Sequence, residues 1–325
     1  MRSEEYQLLL SACRQLTKSH PWLQRVQGES AEESANSIKE EMKSFLGEVF
    51  SDRERVHKIA LHTMQPLLAV FDLGLLQICD LSHFAWQHHD SRVKLIWPDV
   101  ALPKRPRPSH VFYLLTSNLA QTLQAVRVLL LAGFEGQSRA MVRTFVELAD
   151  VILAVVADEQ YYRYYITVYE DEKKTQEHWR KHLAPGVVRQ RLAKLDNELA
   201  LSKTTSIPAA EVRQDTYKWF SRFSHVDLVA HLMSAYPQSL AGAGMAPLAM
   251  LGEVGEATRA TFARVLLYLW LFFIHFDRLL WAQHRWNRFR GNRSRRWYRY
   301  RSSVFHTLFR ENYDLLQGIT AEDSS

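Results

Sequence analysis

The sequence predicts an all-α fold, a multi-helix bundle built around a long buried helical hairpin. Three observations predict it. Alternating apolar and polar residues, the mark of half-buried strands, are nearly absent, whereas apolar residues recur three and four apart through most of the chain. Twelve Gly and ten Pro are too few to supply the turns of a 325-residue β fold. The stretch Gly136 to Asp158, GQSRAMVRTFVELADVILAVVAD, is apolar on almost every side. Its exceptions are Arg139, Arg143, Glu147 and Asp150, which a helix gathers within an arc of about 80°.

In chain order, Glu4 to Gln27 forms a first helix through Leu8, Leu9, Leu10, Cys13 and Leu16, with Pro21 able to end it early. Ser34 to Phe50 forms a second, amphipathic through Ile38, Met42, Phe45, Leu46 and Val49. Glu54 to His89 is a long periodic segment that Pro66 kinks or divides. Ile96 to His110 carries four prolines, cannot continue a helix and tends to extended geometry. Ser109 is placed to cap a helix running to Ala132, and Gly133 follows where a left-handed residue is needed. The central helix starts near Ser138 and ends near Asp158, completing an antiparallel hairpin. The aromatic run Tyr161, Tyr162, Tyr164, Tyr165 follows, then a charged helix to His182, a helix over Val187 to Leu201, and one beginning near Pro208. Glu253 to Trp286 is a second core helix, and Ser303 to Leu316 a short last one. The implied organisation is an N-terminal helical region (1–95), a proline-rich linker (96–108), a main bundle (109–286), and an arginine-rich segment with a C-terminal helix (287–325).

Composition narrows the function classes. Cys13 and Cys79 lack metal-type spacing and cannot form a disulfide framework, so a reducing, cytoplasmic setting is expected. The first residues carry acids where an export signal needs a basic region. Val265 to Ile274 and Met64 to Trp86 are apolar, but charges flank the first and interrupt the second. Both are expected to be core helices rather than transmembrane spans. The net charge of +6 is concentrated: the segment from Arg285 to Arg301 holds eight arginines and no acid, and without them the balance is −2.

Four constellations carry chemistry. The stripe Arg143 and Glu147, with Arg139 and Asp150, either lines a cleft and positions an anion or fixes helix register as a structural ion pair. Ser221, Arg222 and His225 share a helix. His225 is placed to act with Arg143 and Glu147 as an acid/base, or else is a satisfied core histidine; no strand-turn-helix elbow exposes Ser221 as a nucleophile. His178 and His182 have i, i+4 spacing, but paired Glu-x-x-His motifs are missing, so neither a metal nor another cofactor is expected. Finally, Arg285, Arg288, Arg290, Arg293, Arg295, Arg296, Arg299 and Arg301 alternate with Trp286, Phe289, Trp297, Tyr298 and Tyr300. Arginine forks bind phosphates and aromatic rings stack on bases, so RNA or another polyanion is the expected partner. An anionic membrane surface would suit the same composition.

LLLAGFEGQSRAMVRTFVELADVILAVV followed by YYRYY resembles an uncharacterised bacterial all-helical family, a numbered domain of unknown function. The family pattern has a Gly after a helix, an Arg-x3-Glu helix and a later Ser-x3-His; the matching positions are Gly133, Arg143, Glu147, Ser221 and His225. The likeness runs from about Val111 to Trp286 and implies a fold and a residue set, not an activity. Such bundles also resemble the HEPN group, whose nucleases use an Arg-x4–6-His motif. That implies a metal-independent ribonuclease as the enzymatic alternative. Pairs with this spacing run from Arg14–His20 to Arg301–His306, and chance supplies several in so arginine-rich a chain. Arg301–His306 adjoins the basic segment.

Overall fold

The structure is a computed structural model that describes residues 3–19, 30–87, 108–167, 169–198, 209–224, 252–282 and 292–314. Those residues are helical with connecting turns and form no strand. They fall into two compact units, Met1–Lys58 and Ile59–Ser325. The first contains α1 (Ser3–Ser19) and most of α2 (Ala31–Thr63). Ser30 opens α2 as part of a capping box: Glu33 accepts from the Ser30 N–H at 2.7 Å, and the Glu33 N–H donates to the Ser30 hydroxyl at 3.2 Å. Contrary to the separate helices expected on either side of Ser51 to Arg53, α2 runs straight through them. No glycine or proline interrupts SDRE, and Arg55 bonds back to Asp52 at 2.8 Å across one turn.

The second unit is the bundle. Met64 is the bend before α3 (Gln65–Gln87), so Pro66 falls in the first turn of a new helix. Although it precedes the proline-rich stretch, α3 packs against α4 (Pro108–Leu131), and also against α10 (Glu256–Ala282) and α11 (Asn292–Glu311). At Gly74 a Cβ would lie 2.4 Å from Leu269 Cδ2 and 3.1 Å from Phe305, so the missing side chain lets α10 and α11 close on α3. α4 starts at Pro108, which places Ser109 inside its first turn rather than at the expected cap position.

α4 ends in a Schellman motif. Gly133 adopts φ 75°, its N–H donates to Leu130 at 3.1 Å, and the Phe134 N–H donates to Leu129 at 2.9 Å. The Gly133 carbonyl then accepts from Glu253, ahead of α10, at 3.1 Å. α5 (Glu135–Ala157) therefore begins three residues earlier than Ser138. It is the centre of the bundle, packing against α4, α6 (Glu159–Tyr165), α8 (Pro185–Glu198), α9 (Ala209–Ser224) and α10. Val142, Phe145, Val146, Ile152, Leu153, Val155 and Val156 are buried, as its apolar sides require.

Asp158 ends α5 and caps α6: its carboxylate accepts from the Gln160 and Tyr161 N–H groups at 2.8 and 3.2 Å. α7 (Glu172–His178) continues into a single π turn, Trp179–Leu183, before α8. By length and composition α3 and α10 could each cross a membrane. Of their most apolar windows, 56% and 72% respectively are buried within the protein, so neighbouring helices already cover much of that surface.

Candidate functional site

The charged residues of α5 are held in separate places. Arg139, with 0% of its side chain exposed, pairs with Glu135 one turn earlier. Its Nε donates to Thr261 at 2.9 Å, the Thr261 hydroxyl donates to Glu135 at 2.9 Å, and the Trp219 ring lies 3.9 Å from the guanidinium. This closed set ties α5 to α9 and α10. Glu135 escapes a reading that starts the helix at Ser138, and with it the i, i+4 pair. Arg143 and Glu147 meet at 3.1 Å, and Arg143 also donates to Tyr217 at 3.3 Å. Their side chains are 24% and 35% exposed, so this part of the stripe reaches the surface instead of being sealed in the core.

Asp150, at the far end of the stripe, enters a network that the sequence does not announce. Its carboxylate accepts from the Tyr268 hydroxyl at 2.5 Å and lies 3.5 Å from Arg213 Nε. Arg213, on α9, reaches Asp196 of α8 at 3.4 Å and His275 of α10 at 2.9 Å. Asp196 also lies against His275 Nε2. The imidazole donates from Nδ1 to the Leu271 carbonyl at 2.7 Å, while Nε2 faces both the Arg213 guanidinium and the Asp196 carboxylate. Asp150, Asp196, Arg213, Tyr268 and His275 are all buried. A sequence signal existed: Tyr268 and His275 are seven apart on one face of an otherwise apolar helix.

Burial dominates the proton chemistry. It pushes the Asp150 carboxyl from 3.8 up to about 6, against the opposing pull of Arg213 and the Tyr268 hydroxyl. Burial, followed by the nearby Arg213 charge, lowers His275 below its ordinary range. It also raises the phenols of Tyr268 and Tyr161, with the Asp150 charge adding to both.

Asp150 and Glu147 both line a cavity of about 280 Å³ bounded by α5, α6, the π turn and α8. Its walls are mainly apolar and aromatic, including Leu148, Val151, Leu183 and Val188, with Arg189 contributing a cation. Tyr161, 0% exposed, also lines it, and its hydroxyl has no hydrogen-bond partner among the described residues. A carboxyl titrating near neutrality beside a cavity can exchange a proton with a bound molecule.

Among the described residues no group of three or more His, Cys, Asp and Glu side chains could hold a metal ion. His178 and His182 instead join an aromatic cluster, with the His182 and Tyr164 rings stacked at 3.9 Å. Ser221 is half-buried on α9. His225, and the Arg222 side chain, lie outside the described residues.

The second candidate is α11. Its helix begins at Asn292, not at Ser303, so the arginine-rich sequence is itself helical from that point. Arginine is a good helix former, and Tyr298, Ser302, Phe305 and Phe309 supply a buried stripe at helical spacing. Trp270 stacks on Phe309 at 4.7 Å, while Tyr298 and Ser302 donate to Asp277 at 3.2 and 2.5 Å. The opposite face exposes Arg296, Trp297, Arg299 and Tyr300; Trp297 is 50% and Tyr300 64% exposed. Arg301 turns inward and pairs with Asp80, and His306 Nε2 lies 3.5 Å from Asp277. Arg285, Arg288 and Arg290 lie outside the described residues, as do the side chains of Arg293 and Arg295, whose backbone is in the first turn of α11. No family model, curated protein or solved structure matches the chain.

Proposed function

We propose that the protein binds single-stranded nucleic acid through the outer face of α11. The observation that carries this reading is the exposure of two large rings and two arginines together, on a helix whose other face is anchored in the bundle. An exposed Trp or Tyr loses favourable burial unless something covers it, and bases present flat faces that stack on both. Arginines beside the rings meet the phosphates. The anchored face matters equally, because it presents these groups on a rigid element without a folding cost on binding.

Binding is favoured over cleavage because the Arg301–His306 pair is engaged inside the bundle, by Asp80 and Asp277. A gel shift with a short labelled single-stranded RNA, followed by measurement of product length, tests the reading. The expected result is a shifted, full-length RNA, with affinity reduced at least tenfold in Trp297→Ala/Tyr300→Ala, since stacking is worth ~1–3 kcal/mol per base. Shortened RNA would support the ribonuclease reading instead. Binding to anionic vesicles without RNA binding would move the assignment to a membrane surface.

A further inference from the structure

We propose that the cavity between α5, α6, the π turn and α8 is a binding site for a small organic cation, an aromatic or alicyclic amine in its protonated form. The proposal is independent of the one for α11: the two sites share no residue.

Three features of the cavity carry it. The Tyr161 hydroxyl is buried in the wall without a hydrogen-bond partner among the described residues, although buried polar groups are almost always hydrogen-bonded. A bound donor or acceptor supplies the missing bond. Next, two carboxyls, Glu147 and Asp150, line the same space and Asp150 is only 4% exposed. An ammonium has three donors and no acceptor, so it can satisfy a carboxylate and a phenol oxygen together. The remaining wall is apolar or aromatic: Leu148, Val151, Leu183 and Val188 surround a ring, and Tyr161, Tyr165 and Trp179 add the negative ring faces that attract cations. Trp179 keeps 50% of its surface exposed, so this lining reaches solvent.

The cations nearby have partners of their own, and Arg143 pairs with Glu147 at 3.1 Å. The Arg189 guanidinium, which also lines the cavity, stacks at 3.7 Å on the Tyr217 ring. Arg213 lies behind Asp150, between it, Asp196 and His275. An anionic ligand would face both carboxyls. At about 280 Å³ the cavity is near the small end of the range for ligand pockets, which suits a single ring with a short amine arm.

Isothermal titration calorimetry of the full chain tests the proposal with benzylamine, 2-phenylethylamine and cyclohexylamine. 2-Phenylethanol and 3-phenylpropanoate serve as neutral and anionic counterparts. At least one amine is expected to bind saturably at one site, ten or more times tighter than either counterpart. Asp150→Asn should weaken that binding at least tenfold, and Glu147→Gln by less. Tyr161→Phe guards against misfolding: it removes a hydroxyl with no partner among the described residues, so the thermal midpoint should hold while amine affinity falls several-fold. Failure of all three amines to bind the folded protein overturns the proposal. Equal affinity for amine and alcohol, or unchanged amine affinity in both Asp150→Asn and Tyr161→Phe, also overturns it.

Discussion

Asp150 and His275 belong to one buried network but respond to pH in opposite senses. The folded state raises the Asp150 carboxyl from 3.8 to about 6, so it holds that proton more tightly than the unfolded chain does. The stability this contributes is complete below 3.8 and is lost as pH rises to about 6. His275 is lowered, so its contribution is present above the ordinary value of 6.5 and is lost as pH falls through the folded value. The two slopes partly cancel in the wild type, and subtraction separates them. Relative to wild type, Asp150→Asn should gain stability as pH rises from 3.8 to about 6, measured by urea denaturation. A difference that stays constant with pH would contradict the burial-driven shift. Arg139 makes a second test. Arg139→Met leaves Glu135 buried without its cation and should cost ~3–5 kcal/mol. Glu135→Leu/Arg139→Met removes both charges and should recover most of that loss, whereas equal destabilisation in the two variants would mean that the arginine acts through packing on Trp219 alone.

At the scale of elements, the α4–α5 hairpin depends on one residue. Gly133 combines φ 75° with a position where a Cβ would fall 2.4 Å from the Glu253 backbone nitrogen. Gly133→Ala therefore adds both a left-handed penalty and a backbone clash, and should cost more than ~1 kcal/mol, visible as a lowered thermal midpoint. An unchanged midpoint would show that the turn tolerates another geometry. The hairpin was legible in the sequence because glycine after an apolar periodic run states its own geometry. The helical nature of the arginine-rich segment was less legible. Its buried stripe begins with a tyrosine and a serine, Tyr298 and Ser302, which do not read as core until Asp277 is known to receive both. The start of α5 was missed for a similar reason: Glu135 looks like a loop residue until it pairs with Arg139. Local signals set the type of each helix, while tertiary partners set where several of them begin.

At the scale of the bundle, apolar packing and ionic pairing share the same interior. The apolar helices α3, α5 and α10 pack together, either directly or through α4, and bury the ionic groups with their partners. Of the candidate site, the sequence showed that Arg143, Glu147 and Asp150 share a helix face, and Arg143 and Glu147 do meet. It could not show Asp196, Arg213 and His275 converging on Asp150, because they come from three helices whose spatial order no local pattern encodes. The basic segment was legible from composition alone, but only the structure divides it into Arg301, turned in toward Asp80, and Arg296 and Arg299, turned out.

That outward face makes the charge argument quantitative. Single-strand binding releases counterions in proportion to the phosphates neutralised, with a slope of about −0.7 per contact in log affinity against log salt. The measurement is fluorescence anisotropy of a labelled oligouridylate between about 50 and about 200 mM salt, for the wild type and Arg296→Ala/Arg299→Ala. Binding by the wild type should weaken steeply with salt, and the double variant should bind more weakly with a slope shallower by about 1.4. No wild-type binding, or the same affinity and slope in both proteins, would contradict the assignment of α11 as the nucleic-acid surface.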